Sequence, residues 1–287
     1  MALRDLLVYL DATDSSLGRL QLAVDLARRN GSFLTGLYVR EWSPAQLAHR
    51  NTAELAGRSL ADMGNISHAA EDSIDRSALE LKSAFEHLTA QSGLESEWRM
   101  VDGEPRTVLP QHARYADLAI LGANMPVAST SAGYRFSEEM LFIAGRPVLL
   151  VPDTADQQTL GAHVAIAWNS SRSSARALND ALPLLERSGQ VTVVAINPSG
   201  VINLHGALPL PQLLEHLRRH GISAHIVEVT GVPAAEFASV LQDKAHAAGA
   251  DMIVAGAHGH TWLREMLMGS VTRDLLSRQR MALMMSH

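Results

Sequence analysis

Two glycine clusters near the end of the chain have the make-up of an anion site. Gly256-Ala257-His258-Gly259 follows a short apolar run, and nine residues after Gly259 comes Gly269-Ser270-Val271-Thr272. Glycines three apart let backbone N–H groups converge on an anion, because neither carries a Cβ. Gly269-Ser270 stands just before Val271-Thr272-Arg273-Asp274-Leu275-Leu276, which has helical spacing. A helix start there supplies free N–H groups, a favourable dipole and the Ser270 hydroxyl. A polyphosphate fits between the two clusters. The pattern is neither a Walker loop, which needs Gly-Lys-Ser/Thr, nor a Gly-x-Gly-x-x-Gly fingerprint.

Each of these residues also has a plainer role. Gly256 and Gly259 suit a tight strand-to-helix turn, and serine at position 270 suits a helix cap. His258 and His260 stand beside the expected phosphates, where loop histidines are ordinarily solvated. Arg264 answers either phosphate charge or solvent. Other chemistries are poorly supplied. Ser170, Ser171, Ser173 and Ser174 offer hydroxyls but no Gly-x-Ser-x-Gly elbow. The thirteen histidines are read as lacking a His-x-x-x-His pair with a carboxylate partner of the zinc-protease kind. No catalytic residue and no metal centre are therefore expected. Met281, Met284 and Met285 read as core or interface.

The elements that must position the glycines recur in two halves. Leu6–Leu10 is a buried-strand run closed by Asp11-Ala-Thr-Asp-Ser-Ser16. A helical pattern follows over 20–29 and stops at Asn30-Gly31. With a strand over 33–39, this is a βαβ unit, whose parallel strands require a right-handed crossover. Residues 41–92 are polar and alanine-rich and read as one or two helices, the second over about 71–91. Strands follow at 98–101, 117–122 and 147–152, the last bounded by prolines and so expected near an edge. The same order returns with strands at 163–168, 191–196, 225–229, 251–255 and 282–286, and helices over 175–185 and 213–220. Two tandem halves are expected, 1–153 and 161–287, each with a five-stranded, mainly parallel sheet and helices on both faces.

Asp117 and Asp251 set an offset of 134 that holds to the end of both halves. It places Gly122 opposite Gly256, but Met125 opposite Gly259, Arg135 opposite Gly269 and Phe136 opposite Ser270. A methionine and a phenylalanine obstruct a phosphate path and hold their backbones away from an anion. Only the second half is expected to bind a nucleotide in this manner.

The spacing Gly256, Gly259, Gly269, Ser270 resembles the ATP-binding signature of the universal stress protein family, and the repeat extends the resemblance to all but about 41–75. The resemblance implies two Rossmann-like domains of the adenine nucleotide alpha hydrolase type. It implies ATP, with Mg²⁺ as companion ion, held by the second domain. Ala167, Trp168 and Asn169 would line one side, Ile196 would present its backbone to the adenine, and His258, Val271 and Thr272 would adjoin the phosphates. The family commonly has an aspartate at the Asn169 position, and the first half keeps one in Asp11. Asparagine still hydrogen-bonds but removes a charge that helps to hold a divalent ion. Single-domain members pair through their last strands, so 147–151 and 282–286 are expected to pair within this chain, with a homodimer as a further possibility. The implied role is regulatory, in a stress response and through an unknown protein partner. A slow ATPase or phosphoryl or adenylyl transferase, and a nucleotide-free scaffold, are the alternatives.

Composition narrows the classes. In 287 residues, 47% are hydrophobic and 19% charged, which supports sizeable cores. A net charge of −6 without a Lys/Arg block argues against nucleic acid as partner. There are no cysteines for disulfides or thiolate sites. No apolar run approaches the ~18 residues of a membrane span. The segment from Met1 to Val8 reads as a strand rather than a signal peptide, so a cytoplasmic protein is expected.

Overall fold

The computed structural model describes residues 2–41, 68–125, 136–153, 159–198, 210–257 and 270–287. The first half runs β1 (Asp5–Leu10), α1 (Ser15–Asn30), β2 (Phe33–Arg40), α2 (His68–Gln91), β3 (Ser96–Asp102), α3 (Pro105–Ala113), β4 (Leu118–Gly122), α4 (Phe136–Ile143) and β5 (Val148–Val151). The second runs β6 (His163–Trp168), α5 (Arg172–Leu185), β7 (Gln190–Pro198), α6 (Leu210–Arg219), β8 (Ala224–Val232), α7 (Phe237–Ala247), β9 (Met252–Gly256), α8 (Ser270–Ser277) and β10 (Ala282–Ser286). Of the one or two helices expected over 41–92, α2 matches the one read over about 71–91, and 42–67 lies outside the described residues.

The ten strands form one sheet in the order β3-β2-β1-β4-β5-β10-β9-β6-β7-β8. Every neighbouring pair is parallel except β5 with β10, whose antiparallel register sets Leu150 against Leu283 and Val148 against Met285. The two last strands thus pair within the chain, as expected. The expectation that β5 lies near an edge fails, because β5 is central, between β4 and β10. Pro147 and Pro152 fall just outside Val148–Val151, so neither removes a donor from the ladder.

A parallel strand covered on both faces must be apolar throughout, and β1, β4, β5, β9 and β10 are almost wholly buried. Helices α1, α2, α5 and α6 cover one face, where Leu20, Phe85, Leu178 and Leu213 share a core with Val8 and Ile166. Helices α3, α4, α7 and α8 cover the other, where Leu109, Phe136, Leu241 and Leu275 join Leu7, Leu121 and Ala255. Among the described residues no helix is long and apolar enough to cross a membrane.

The two aspartates that set the repeat have matching work. The Asp117 carboxylate accepts from the backbone N–H groups of Arg4 (2.7 Å) and Asp5 (3.1 Å). That of Asp251 accepts from Gly161 (3.0 Å), Ala162 (2.9 Å) and His163 (3.3 Å). Each ties the start of the fourth strand of its half to the residues leading into the first. The ends of α1 and α5 also meet: Arg29 donates to the Leu160 carbonyl, and Arg187 to that of Arg29 at 2.9 Å.

Candidate functional site

In an open parallel sheet, ligands lie beyond the carboxyl ends of the strands where the strand order reverses. The order places such a point between β1 and β4 in the first half and between β6 and β9 in the second. Because β5 and β10 are antiparallel, the two points face opposite edges of the sheet.

In the second half, Val164, Ala165 and Ile166 pair with Met252, Ile253 and Val254, so the ends of β6 and β9 stand side by side. This brings Ala167, Trp168 and Asn169 to the same edge as Gly256, with Ile196 near the end of the adjoining β7. The Ile196 side chain is buried in the core and leaves only its backbone for a ligand. Asn169 is exposed, and its Oδ1 accepts from the Ser171 N–H at 3.1 Å. His258, Gly259 and Gly269 lie outside the described residues, as do His260 and Arg264. The backbone of α8 runs from Ser270 through Val271 and Thr272.

Helix α5 begins earlier than its apolar spacing indicates. Ser171 is the N-cap, its hydroxyl accepting from the Ser174 N–H at 3.1 Å, while the Ser174 hydroxyl donates to the Ser171 carbonyl at 2.9 Å. The serine cluster is thus spent largely on capping. The helix start presses on the end of β9: a Cβ at Gly256 would lie 2.4 Å from the Ser173 carbonyl carbon and 2.6 Å from the Ser174 nitrogen. The plainer role considered for Gly256, close packing at a strand end, is therefore real and coexists with any ligand role.

Two buried side-chain donors in this loop, Trp168 Nε1 and Ser170 Oγ, have no partner among the described residues. Ser170 is also the one non-glycine residue there with positive φ, at 58°. A buried unpaired donor costs about 1–3 kcal/mol, and such costs gather where a ligand satisfies them. Ser170→Gly removes both the hydroxyl and the strain. It should raise the stability of the ligand-free protein by about 1 kcal/mol, read as a higher midpoint in urea.

The first half has the opposite character at the equivalent point. The Asp11 carboxylate accepts from the Thr13 N–H at 3.0 Å, from the Thr13 hydroxyl, from the Ser16 hydroxyl at 2.9 Å and from the Arg19 guanidinium at 3.2 Å. Arg19 is only 2% exposed, and its Nη1 lies over Gly122, 2.0 Å from where a Cβ would stand. Met125 and Phe136, opposite Gly259 and Ser270 in the repeat, are buried in the core with Tyr9 and Leu121. Burial, then the charge of Asp11, pushes the Tyr9 phenol above its usual range, and burial, then Glu104, raises the Glu41 carboxyl. Arg19, Met125 and Phe136 fill this point with side chains, and the titratable groups around it are mostly acidic.

Among the described residues no group of three histidine, aspartate or glutamate side chains is placed to hold a metal ion. One His-x-x-x-His pair lies in the second half, without the intervening glutamate of a zinc-protease motif. His216 and His220 are a His-x-x-x-His pair one helical turn apart, and Glu186 Oε1 lies 3.7 Å from His220 Nδ1.

These features define a tandem α/β protein with a strand-order reversal point in each half. Residues 162–286 match the model of the universal stress protein family. A universal stress protein of Methanocaldococcus jannaschii is 30% identical over 69 residues, 24% of this chain, and the match spans 40% of that relative's length. A universal stress protein from Archaeoglobus fulgidus shares the fold with a TM-score of 0.71, at 17% identity, over 98% of this chain and 97% of that one. A putative universal stress protein from Pseudomonas aeruginosa follows at 0.57 and 15% identity, over 99% and 93%.

Proposed function

We propose that the chain is an ATP-binding regulatory protein whose nucleotide is held by residues 161–287. The observation that carries this reading is the pair of unpartnered buried donors, Trp168 Nε1 and Ser170 Oγ, at the reversal point between β6 and β9. The glycine signature supports it: Gly256 is the last residue of β9 and Ser270 lies on α8. The contrast with the first half supports restriction to one site, because Arg19, Met125 and Phe136 fill the matching space and Asp11, Glu41 and Glu104 disfavour a polyphosphate. Bound ATP would hold the loop after β9 and the start of α8 together, and so favour one surface for a protein partner. Mg²⁺ would be carried by the phosphates, Asn169 offering no charge of its own.

Titration calorimetry of ATP with Mg²⁺ tests this, using wild type stripped of carried-over ligand and Gly259→Val. One site per chain is expected, weakened by more than about a hundredfold in the variant. Two sites would show that the first half binds as well, and no heat with wild type would overturn the ATP reading.

A further inference from the structure

Helix α6 carries a second group of potential ligands, far from the β6–β9 edge in sequence and independent of the nucleotide reading. Leu213 and Leu217 anchor the helix in the core, which fixes the backbone of its last turn. His216 is half-buried and His220 exposed, on one face of that turn, with ring centroids 4.8 Å apart and planes at 64°. With metal–nitrogen bonds of ~2.0–2.1 Å and an angle of ~90–110° at the ion, two imidazoles sharing one ion have centroids roughly 4.5–5.2 Å apart. The observed spacing lies inside that range.

Three further features favour a cation at this spot. Glu186, at the end of α5, has its carboxylate 3.7 Å from His220 Nδ1. A carboxylate behind the ring favours a proton on Nδ1 and leaves Nε2 as the metal-binding nitrogen. The pair sits at a helix C-terminus, where the dipole favours positive charge. The two arginines between the histidines are both engaged by Glu215, Arg218 at 2.8 Å and Arg219 at 3.2 Å, which offsets part of their charge.

We propose that His216 and His220 form a two-histidine surface site for a divalent transition-metal ion of the imidazole-preferring class, Zn²⁺, Ni²⁺ or Cu²⁺. Water fills its remaining positions, and Glu186 orients His220 from behind.

The test is titration of NiCl₂ or ZnCl₂ into the full chain at pH 7.5, where imidazole ligates in its neutral form. Wild type, His216→Ala, His220→Ala and Glu186→Gln are compared by calorimetry and by metal-dependent thermal shift. His220 and Glu186 are exposed and His216 half-buried, and the substitutions should leave the metal-free unfolding midpoint nearly in place. The expected result is one site that weakens at least about tenfold in either histidine variant and severalfold in Glu186→Gln, with loss of the metal-induced rise in midpoint. A wild-type site that persists unchanged in both histidine variants would place the metal on other histidines and overturn the proposal. Absence of binding to wild type would overturn it equally.

Discussion

Gly256→Ala should lower the unfolding free energy by about 3 kcal/mol and abolish nucleotide binding together with it. The added methyl would lie 2.4 Å from the Ser173 carbonyl carbon, 2.6 Å from the Ser174 nitrogen and 2.7 Å from the Ser173 oxygen. All three are backbone atoms at the capped start of α5, so no rotamer change relieves the clash. Relief requires the helix start to move away from β9, carrying with it the loop that bears Trp168, Asn169 and Ser170. Gly122→Ala makes the comparison informative. There the methyl meets the tip of the Arg19 side chain at 2.0 Å, and a guanidinium moves more readily than a helix. Its cost should come from disturbing the Arg19–Asp11 pair rather than from backbone displacement. Urea unfolding of both variants, read beside ATP titration, checks the account. A Gly256→Ala protein within about 0.5 kcal/mol of wild type would show that α5 does not depend on this contact.

How much of this was legible in the sequence follows from what each residue depends on. The strands were legible because parallel strands buried on both faces must be continuous apolar runs, and 163–168 and 282–286 coincide with β6 and β10. The offset of 134 was legible too, and α4 and α8, Phe136–Ile143 and Ser270–Ser277, obey it. It set Met125 and Phe136 opposite Gly259 and Ser270 as an obstruction, and their burial is what the structure adds. Helix α4 itself was missed: its eight residues are mostly buried, Glu138 among them, so no polar face marked it. The early start of α5 was missed because it depends on a hydroxyl cap at Ser171 rather than on apolar spacing. The place of β5 was misjudged because flanking prolines limit a strand's length, not its position in the sheet. Arg19 was invisible, since an arginine at the head of an amphipathic helix reads as solvated. Only the joint presence of Asp11, Ser16 and the bare backbone of Gly122 makes its burial possible.

That joint dependence gives the other large prediction. Arg19→Ala should cost about 3–5 kcal/mol, because it strips the cation from a carboxylate only 14% exposed and leaves a void over Gly122. The double variant Asp11→Asn with Arg19→Ala should cost distinctly less than Arg19→Ala alone. The reason lies in the other half of the chain, where the repeat places Asn169 opposite Asp11 and Ala177 opposite Arg19, and where the same βα turn folds without either charge. Removing both charges also removes a buried Nε that has no partner among the described residues. A buried ion pair replaced as a unit is often close to neutral, whereas breaking one side is expensive. A double-mutant cycle in urea should therefore return a coupling of at least about 1–2 kcal/mol in favour of the pair. Additive costs would mean that Arg19 acts through packing alone. The double variant should still bind a single ATP, because Met125 and Phe136 continue to fill the first site and Glu41 and Glu104 keep it acidic. The ion pair would then be one of several independent features that close the first half.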